Sequence, residues 1–414
     1  MSLAETPSGE RVHIGFVGRR NAGKSSLVNA VTGQELAVVS DVAGTTTDPV
    51  RKAMELLPVG PVVIVDTPGV DDAGGLGEKR VRKAREALRR CDVAVLVVDA
   101  TRGPGDVERD LAADLARRGV PFVVARTKAD LAGEACGPAP TTSAAPDDLP
   151  GAAAVISVCA PEGRGVPELK EAIAAIASGA RPQRRPVADL VDPGDVVVLV
   201  VPIDASAPKG RLILPQQLVL RDILDAHASA LACQPEELTA TLATLVSPPR
   251  LVVCDSQAFA RVARDVPEDV PLTSFSILMA RYKGSLPALV RGAGALSALT
   301  SESRVLISEG CTHHRQCADI GTVKLPAWIR AHAGASPTFA FTSGGEFPDD
   351  LSSFDLVVHC GGCMLNEREM AHRMARAAAC GVPMVNYGVA IAQMRGILER
   401  SLAPLGGIAQ ILGD

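Results

Sequence analysis

A chain of 414 residues that is 47% hydrophobic and 21% charged has the make-up of an ordinary globular protein, long enough for two or three buried cores. A formal net charge of −5 gives no general attraction to nucleic acid or anionic lipid, and aromatics at 3%, with Trp328 the single tryptophan, leave little to stack on nucleobases. No apolar run approaches the ~20 residues that span a bilayer, and residues 1–7 lack a charged-then-apolar export signal, so the expected compartment is the cytoplasm, with neither membrane nor nucleic acid as partner.

The apolar run at residues 12–17 predicts a strand, followed by a loop and a helix over residues 23–31. Further apolar runs at 62–65, 93–98, 122–125 and 153–158 alternate with helical patterns at 78–90, 106–118 and 166–177. Such alternation predicts a mostly parallel sheet covered by helices. Residues 133–151 are rich in Ala, Pro, Thr and Asp and read as a surface insertion, and 179–193 as a proline-rich linker. A second stretch starts with a strand at 196–201, continues with helical patterns at 216–231 and 235–245, and returns to strand at 251–254. It carries no catalytic motif, so assembly is its expected job. From about residue 280 strands are expected at 304–308, 338–341, 355–358 and 383–386, with a helix over 366–379. The expected domains are therefore 1–180, 181–280 and 281–414.

Four motifs in the first stretch occur in the order a nucleotide site requires. Gly18, Asn21, Ala22, Gly23, Lys24, Ser25 and Ser26 form a phosphate loop: backbone N–H groups wrap the phosphates, Lys24 reaches the outer ones and Ser25 holds magnesium. Thr46, in the run Gly44 to Asp48, completes the magnesium shell. Asp66, before Thr67, Pro68 and Gly69, holds magnesium through water, and the Gly69 amide senses the terminal phosphate. Lys24, Thr46 and Gly69 are thus the expected catalytic set. Thr127, Lys128, Ala129 and Asp130 stand where Asn-Lys-x-Asp is usual; the Asp130 carboxylate accepts from both N–H groups of guanine and is repelled by the edge of adenine, which selects GTP and GDP. Thr127 in place of asparagine is expected to weaken the bracing of this loop. Val70 follows Gly69 where a water-orienting glutamine would speed hydrolysis, so unaided turnover should be slow. Asn21 together with Gly44 to Asp48 resembles the potassium-activated GTPases related to TrmE and Era, with Asn21 and carbonyls near Ser40 and Val42 as the potassium cage; Asn21 as a plain loop brace is the alternative.

A second chemistry lies near the other end. Cys311 and His313 follow one predicted strand, and His359, Cys360 and Cys363 follow another. If those strands are parallel neighbours, both half-sites open on one sheet edge. Gly361 and Gly362 let the loop curl, and the helix starting near Asn366 would aim N–H groups at a negative cluster. Three cysteines leave one coordination position to His313, His359, a carboxylate such as Glu309, or water, and Cys317 is a further thiolate within reach. Iron–sulfur and structural zinc compete for this set, and the other six of the ten cysteines read as bystanders in a reducing compartment.

The potassium-type GTPase motifs, the motif-free middle and the spacing of Cys311 and His313 from His359, Cys360 and Cys363, with 45 residues (314–358) between the histidines, resemble the HydF family of FeFe-hydrogenase maturation GTPases over the whole chain. The resemblance implies an α/β chain: a Ras-like P-loop GTPase domain, then an α/β dimerisation domain, then an α/β cluster-binding domain. It implies a 4Fe-4S cluster on Cys311, Cys360 and Cys363 and a homodimer. It also implies a scaffold role in which a diiron precursor, made with the radical-SAM maturases HydE and HydG, passes to apo FeFe-hydrogenase. The rival is a TrmE/Era-like GTPase of RNA modification or ribosome assembly with a structural zinc tail.

Overall fold

The structure, a computed structural model, describes residues 6–34, 50–70, 75–138, 149–180, 184–203, 212–284, 286–310 and 319–407. The chain divides into two compact units: Glu10–Gln183, and a second made of Arg184–Asp414 together with Met1–Gly9.

The Glu10–Gln183 unit runs β1 (Val12–Gly18), α1 (Lys24–Thr32), β2 (Val50–Leu56), β3 (Gly60–Asp66), α2 (Gly75–Leu88), β4 (Val93–Asp99), α3 (Asp106–Arg117), β5 (Phe122–Thr127), β6 (Gly137–Pro138), β7 (Ala152–Val158) and α4 (Val166–Ala180). Its sheet has the order β2-β3-β1-β4-β5-β7-β6; β2 and β6 pair antiparallel at the two edges and the inner pairs are parallel. β4 is buried along its whole length, as expected of a central parallel strand covered on both faces. One face packs Phe16, Val95 and Ile156 against Leu27 of α1 and Leu169 and Ile173 of α4. The other packs Val17, Leu96 and Val124 against Leu88 of α2 and Leu111 and Leu115 of α3.

The other unit continues with β8 (Val196–Val200), α5 (Leu214–Asp225), β9 (Ser229–Cys233), α6 (Leu238–Ala243), β10 (Leu251–Cys254), α7 (Phe259–Asp265), β11 (Leu272–Ser274), α8 (Phe275–Tyr282) and α9 (Leu286–Gly292). Then follow β12 (Arg304–Glu309), α10 (Leu325–Ala333), β13 (Thr338–Ser343), β14 (Leu356–His359), α11 (Glu367–Ala379), β15 (Met384–Asn386), α12 (Tyr387–Met394) and α13 (Leu398–Leu402). It holds two parallel sheets, β11-β10-β8-β9 and β13-β12-β14-β15. A single apolar core runs from Val187 to Leu405 through both.

One expectation fails in this unit. The helix read over 216–231 stops at Asp225; His227 turns into the left-handed region (φ 58°), and Ser229–Cys233 becomes β9, paired with β8. The Ala and Leu residues that continue the helical pattern serve equally well on a pleated face, and pairing with β8 decides between them.

The described part of the N-terminal segment belongs to this same unit. Gly9 is buried, and a Cβ added there would lie 2.6 Å from the Cys363 carbonyl oxygen and 2.9 Å from that of Leu365. Arg184, where the chain re-enters the unit, is ion-paired with Glu367 at the start of α11.

Candidate nucleotide and metal sites

The phosphate loop joins β1 to α1. Asn21 (φ 61°) and Gly23 (φ 79°) both take left-handed backbone, which turns the chain sharply before α1 begins at Lys24. The loop rests on the segment after β5 that begins at Thr127: a Cβ on Gly23 would stand 3.3 Å from Thr127 Oγ1. Thr127 is buried, and its hydroxyl lies in hydrogen-bonding reach of the Ala22 carbonyl, in the phosphate loop, and of the Val98 carbonyl, 3.1 Å away in β4. Where asparagine is usual, the shorter hydroxyl side chain ties the two loops.

Lys128 adds a second tie. Its ammonium donates to the Asn21 carbonyl (2.8 Å) and to Asp99 Oδ2 (2.6 Å), contacts that hold its own left-handed backbone (φ 57°). Burial alone would raise the Asp99 pKa, but hydrogen bonds from Lys128 and Thr101 outweigh it and hold the carboxyl below its ordinary value. Asp99 was not singled out from the sequence; its signal was there, an acid closing the apolar run 93–98. Asp130 is exposed beyond the loop. Cys159, read as a bystander, is buried close by: the ligand atoms of Asp130, Cys159 and Glu162 lie within 4.8 Å of one another.

At the end of β3, the Asp66 carboxylate is ion-paired with the Lys24 ammonium. The segment after Asp66 is stitched to the phosphate loop. The Val70 amide donates to the Gly18 carbonyl (3.1 Å), and the Arg20 amide to that of Val70 (3.3 Å). Gly69 accommodates this approach, since a Cβ there would come 3.0 Å from Arg20 Cα. Val70, 2% exposed, packs into the core with Val17 and Leu96, so the position after Gly69 offers no side chain to a nucleotide. Thr46, and Ser40 and Val42 of the expected potassium cage, lie outside the described residues.

In the other unit β12 and β14 are parallel neighbours, so Glu309 and Gly310 end beside His359 and Cys360, as the sequence required of a shared edge. The Cys360 amide donates to the Ser308 carbonyl (3.0 Å). Two amides point at the Cys360 sulfur: Gly310 N–H at 3.0 Å and Gly362 N–H at 3.4 Å. Gly362 is left-handed (φ 63°) and its carbonyl accepts from the Leu365 amide (3.0 Å), closing the curl anticipated for this loop. Amides aimed at sulfur favour thiolate over thiol, which is the donor chemistry a cationic metal centre requires. Cys311, His313 and Cys317 lie outside the described residues.

Two features of this loop bear on what was expected of it. At the start of α11, Asn366 Oδ1 caps the Glu369 amide (3.0 Å), and Glu367 and Glu369 supply negative charge to the first turn. Among the described residues the amides on the Cys360 sulfur come from Gly310 and Gly362. His359, a candidate fourth ligand, is 0% exposed with both ring nitrogens engaged: Nδ1 lies 2.7 Å from the Cys360 carbonyl and Nε2 3.0 Å from Arg373 Nη1. Burial first, and the Arg373 charge second, press its pKa down to about 3 against the opposing Cys360 hydrogen bond, so the ring is neutral. Glu309 accepts from the Tyr387 hydroxyl (3.1 Å), and burial pushes that phenol's pKa far up. Arg373 escaped the sequence reading; its pairing with Glu369 four residues earlier on one helix face was the available signal.

A phosphate loop after the first strand of a largely parallel sheet, an aspartate and Thr-Pro-Gly segment stitched to it, and a base-reading loop braced against it define a P-loop GTPase domain. Residues 13–128 accordingly match the 50S ribosome-binding GTPase family. Residues 187–284 match the hydrogen maturase F dimerization domain and 287–404 the hydrogen maturase F tetramerization domain; the chain belongs to the hydrogen maturase F family. The tRNA modification GTPase MnmE of Laribacter hongkongensis is 40% identical over 129 residues, covering 31% of this chain and 28% of that one. MnmE of Synechococcus sp. is 35% identical over 176 residues, covering 42% and 35%. The chain thus spans about a third of the length of these curated relatives. Among solved structures, Aquifex aeolicus Era bound to GDP and AlF4− is 18% identical with a TM-score of 0.35, covering 54% of this chain and 92% of that one. The G domain of Thermotoga maritima FeoB is 24% identical with a TM-score of 0.30, covering 41% and 99%. No helix among the described residues is long and apolar enough to cross a membrane.

Proposed function

We propose that the chain is a GTP-hydrolysing scaffold of FeFe-hydrogenase maturation. Residues 1–180 bind GTP or GDP with magnesium, 181–280 dimerise the protein, and 281–414 hold a 4Fe-4S cluster. The observation that carries the reading is the convergence of the Gly310 and Gly362 amides on the Cys360 sulfur, at the end of two parallel strands in a chain of this family. Cys360, Cys363 and Cys311 are the proposed cluster thiolates. When bound, the cluster supplies an iron corner at which a ligand can be exchanged. The protein's own part is to keep Cys360 as thiolate through those two amides and to hold its backbone through Ser308. The cargo is a diiron precursor made with HydE and HydG and passed to apo FeFe-hydrogenase in the cytoplasm.

In the GTPase domain Lys24 takes the outer phosphates, Ser25 and Thr46 the magnesium, and Asp130 the guanine edge. Asn21, whose backbone is left-handed in the phosphate loop, supplies the side-chain oxygen of a potassium site. Lacking a water-orienting side chain after Gly69, the domain hydrolyses GTP slowly and is accelerated by potassium. The rival reading, a GTPase of RNA modification, draws on the GTPase part alone, which is the part aligned with MnmE.

The test is iron, zinc and sulfide content with electron paramagnetic resonance on anaerobically reconstituted protein, comparing wild type with Cys311→Ala, Cys360→Ala and Cys363→Ala. A reducible 4Fe-4S signal that needs all three cysteines is the expected result. Stoichiometric zinc without sulfide would overturn the cluster assignment.

A further inference from the structure

Behind the Cys360 loop lies a guanidinium removed from water. Arg373 is 0% exposed, and its Nε donates to Glu369 Oε1 (2.9 Å), Nη2 to the Gly344 carbonyl (2.8 Å) and Nη1 to Ser308 Oγ (3.4 Å) and His359 Nε2 (3.0 Å), with the Phe347 ring 5.0 Å away. A guanidinium has only donors, so His359 Nε2 is the acceptor of this contact and Nδ1 carries the proton, which it donates to the Cys360 carbonyl at 2.7 Å. Neither ring nitrogen has a lone pair left for a metal.

The arrangement is two-sided. The Cys360 amide is held by Ser308 and its carbonyl by His359, and Arg373 touches both holders. We propose that Arg373 is the positioning residue of Cys360, acting through His359 and Ser308, and that His359 is a strut and not an iron ligand. The proposal rests on the cluster reading above and deepens it: the exchangeable iron corner belongs to a ligand other than His359.

Two substitutions at one position separate the links. His359→Asn keeps a donor where Nδ1 stood, facing Cys360; His359→Gln keeps an acceptor where Nε2 stood, facing Arg373. In metal-free protein, iodoacetamide labelling of Cys360 relative to Cys363, read by peptide mass spectrometry, reports how firmly Cys360 is held. His359→Gln is expected to label roughly tenfold faster than wild type, the change expected from one lost hydrogen bond, and His359→Asn, which keeps the Cys360 contact but loses the Arg373 one, to fall between wild type and His359→Gln. Arg373→Met made together with Glu369→Met, which leaves no buried charge unpaired, is expected to label as His359→Gln does. Equal ratios in all variants would overturn the positioning role. In reconstituted protein, pulsed paramagnetic resonance of the reduced cluster is expected to give the same nitrogen couplings in wild type and both His359 variants. A directly bound imidazole coupling lost in both would make His359 a ligand and overturn the strut. If wild type takes up no iron, the cluster reading fails, and the labelling ratios still decide whether Arg373 positions Cys360.

Discussion

The ammonium of Lys24 and the carboxylate of Asp66 are partners in an ion pair across the phosphate loop, and the proposed site assigns each a different partner once nucleotide and magnesium arrive. In that site phosphate would replace Asp66 as the partner of Lys24, and magnesium would replace Lys24 as the partner of Asp66. Lys24→Met should therefore weaken GDP and GTP binding by about 2–3 kcal/mol, roughly 30- to 150-fold in Kd. It should also leave Asp66 unopposed, so that the remaining affinity depends more steeply on magnesium. Titration with a fluorescent nucleotide at several magnesium concentrations measures both; unchanged affinity would remove Lys24 from the site.

Thr127 carries the brace that an asparagine would otherwise provide. Thr127→Val keeps the shape and deletes the hydroxyl, leaving the Ala22 and Val98 carbonyls without that donor. The expected loss is about 1–2 kcal/mol in the bound state, seen as GDP release roughly 5- to 30-fold faster in stopped flow. A release rate equal to wild type would mean that Lys128 alone carries the brace.

Asp130 is the proposed reader of the base. Asp130→Asn replaces one acceptor by a donor, which suits a base bearing a carbonyl where guanine has its amino group. Competition assays should show a preference for xanthosine over guanosine diphosphate in the variant and the reverse in wild type. Retained guanosine preference would assign base reading to another residue.

Acid should destabilise the C-terminal unit through His359. Its folded-state pKa is depressed to about 3 by burial and by Arg373, while the unfolded chain binds the proton near 6.5. Stability from this group is present above pH 6.5 and is lost as pH falls from there towards 3, at about 1.4 kcal/mol per pH unit. Between pH 6.5 and 5, above most carboxylate titrations, urea midpoints should fall more steeply for wild type than for His359→Asn. Parallel slopes would show that the buried ring is not the titrating group.

Where the sequence is legible, burial makes it so. β4, β5, β8 and β10 are apolar runs because parallel strands are covered on both faces, and the phosphate loop is fixed by glycine spacing. β9 is hidden because its alanines and leucine extend the pattern of α5 and the break falls at His227, a residue with no turn signature. The edge at Gly310 and Cys360 could be foreseen from two strand ends, but not the two amides on the sulfur, since backbone direction is set by the left-handed turn at Gly362. Asp99 and Arg373 are charges that composition assigns to solvent and that specific partners draw inside. Nor does any sequence pattern reveal that Gly9 sits against Cys363.

That last contact makes the GTPase unit an insertion. The chain leaves the C-terminal unit at Gly9 and re-enters at Arg184, and both ends reach one turn: Lys283 Nζ lies 3.5 Å from the Gly9 carbonyl, and a Cβ on the adjacent Gly284 would run into the Arg184 guanidinium. A fragment beginning at Arg184 would strip the cover from the Cys363 and Leu365 carbonyls. Excising residues 10–183 and rejoining the flanks through a few glycines and serines keeps that cover, and is the dissection by which the remaining unit should stand alone.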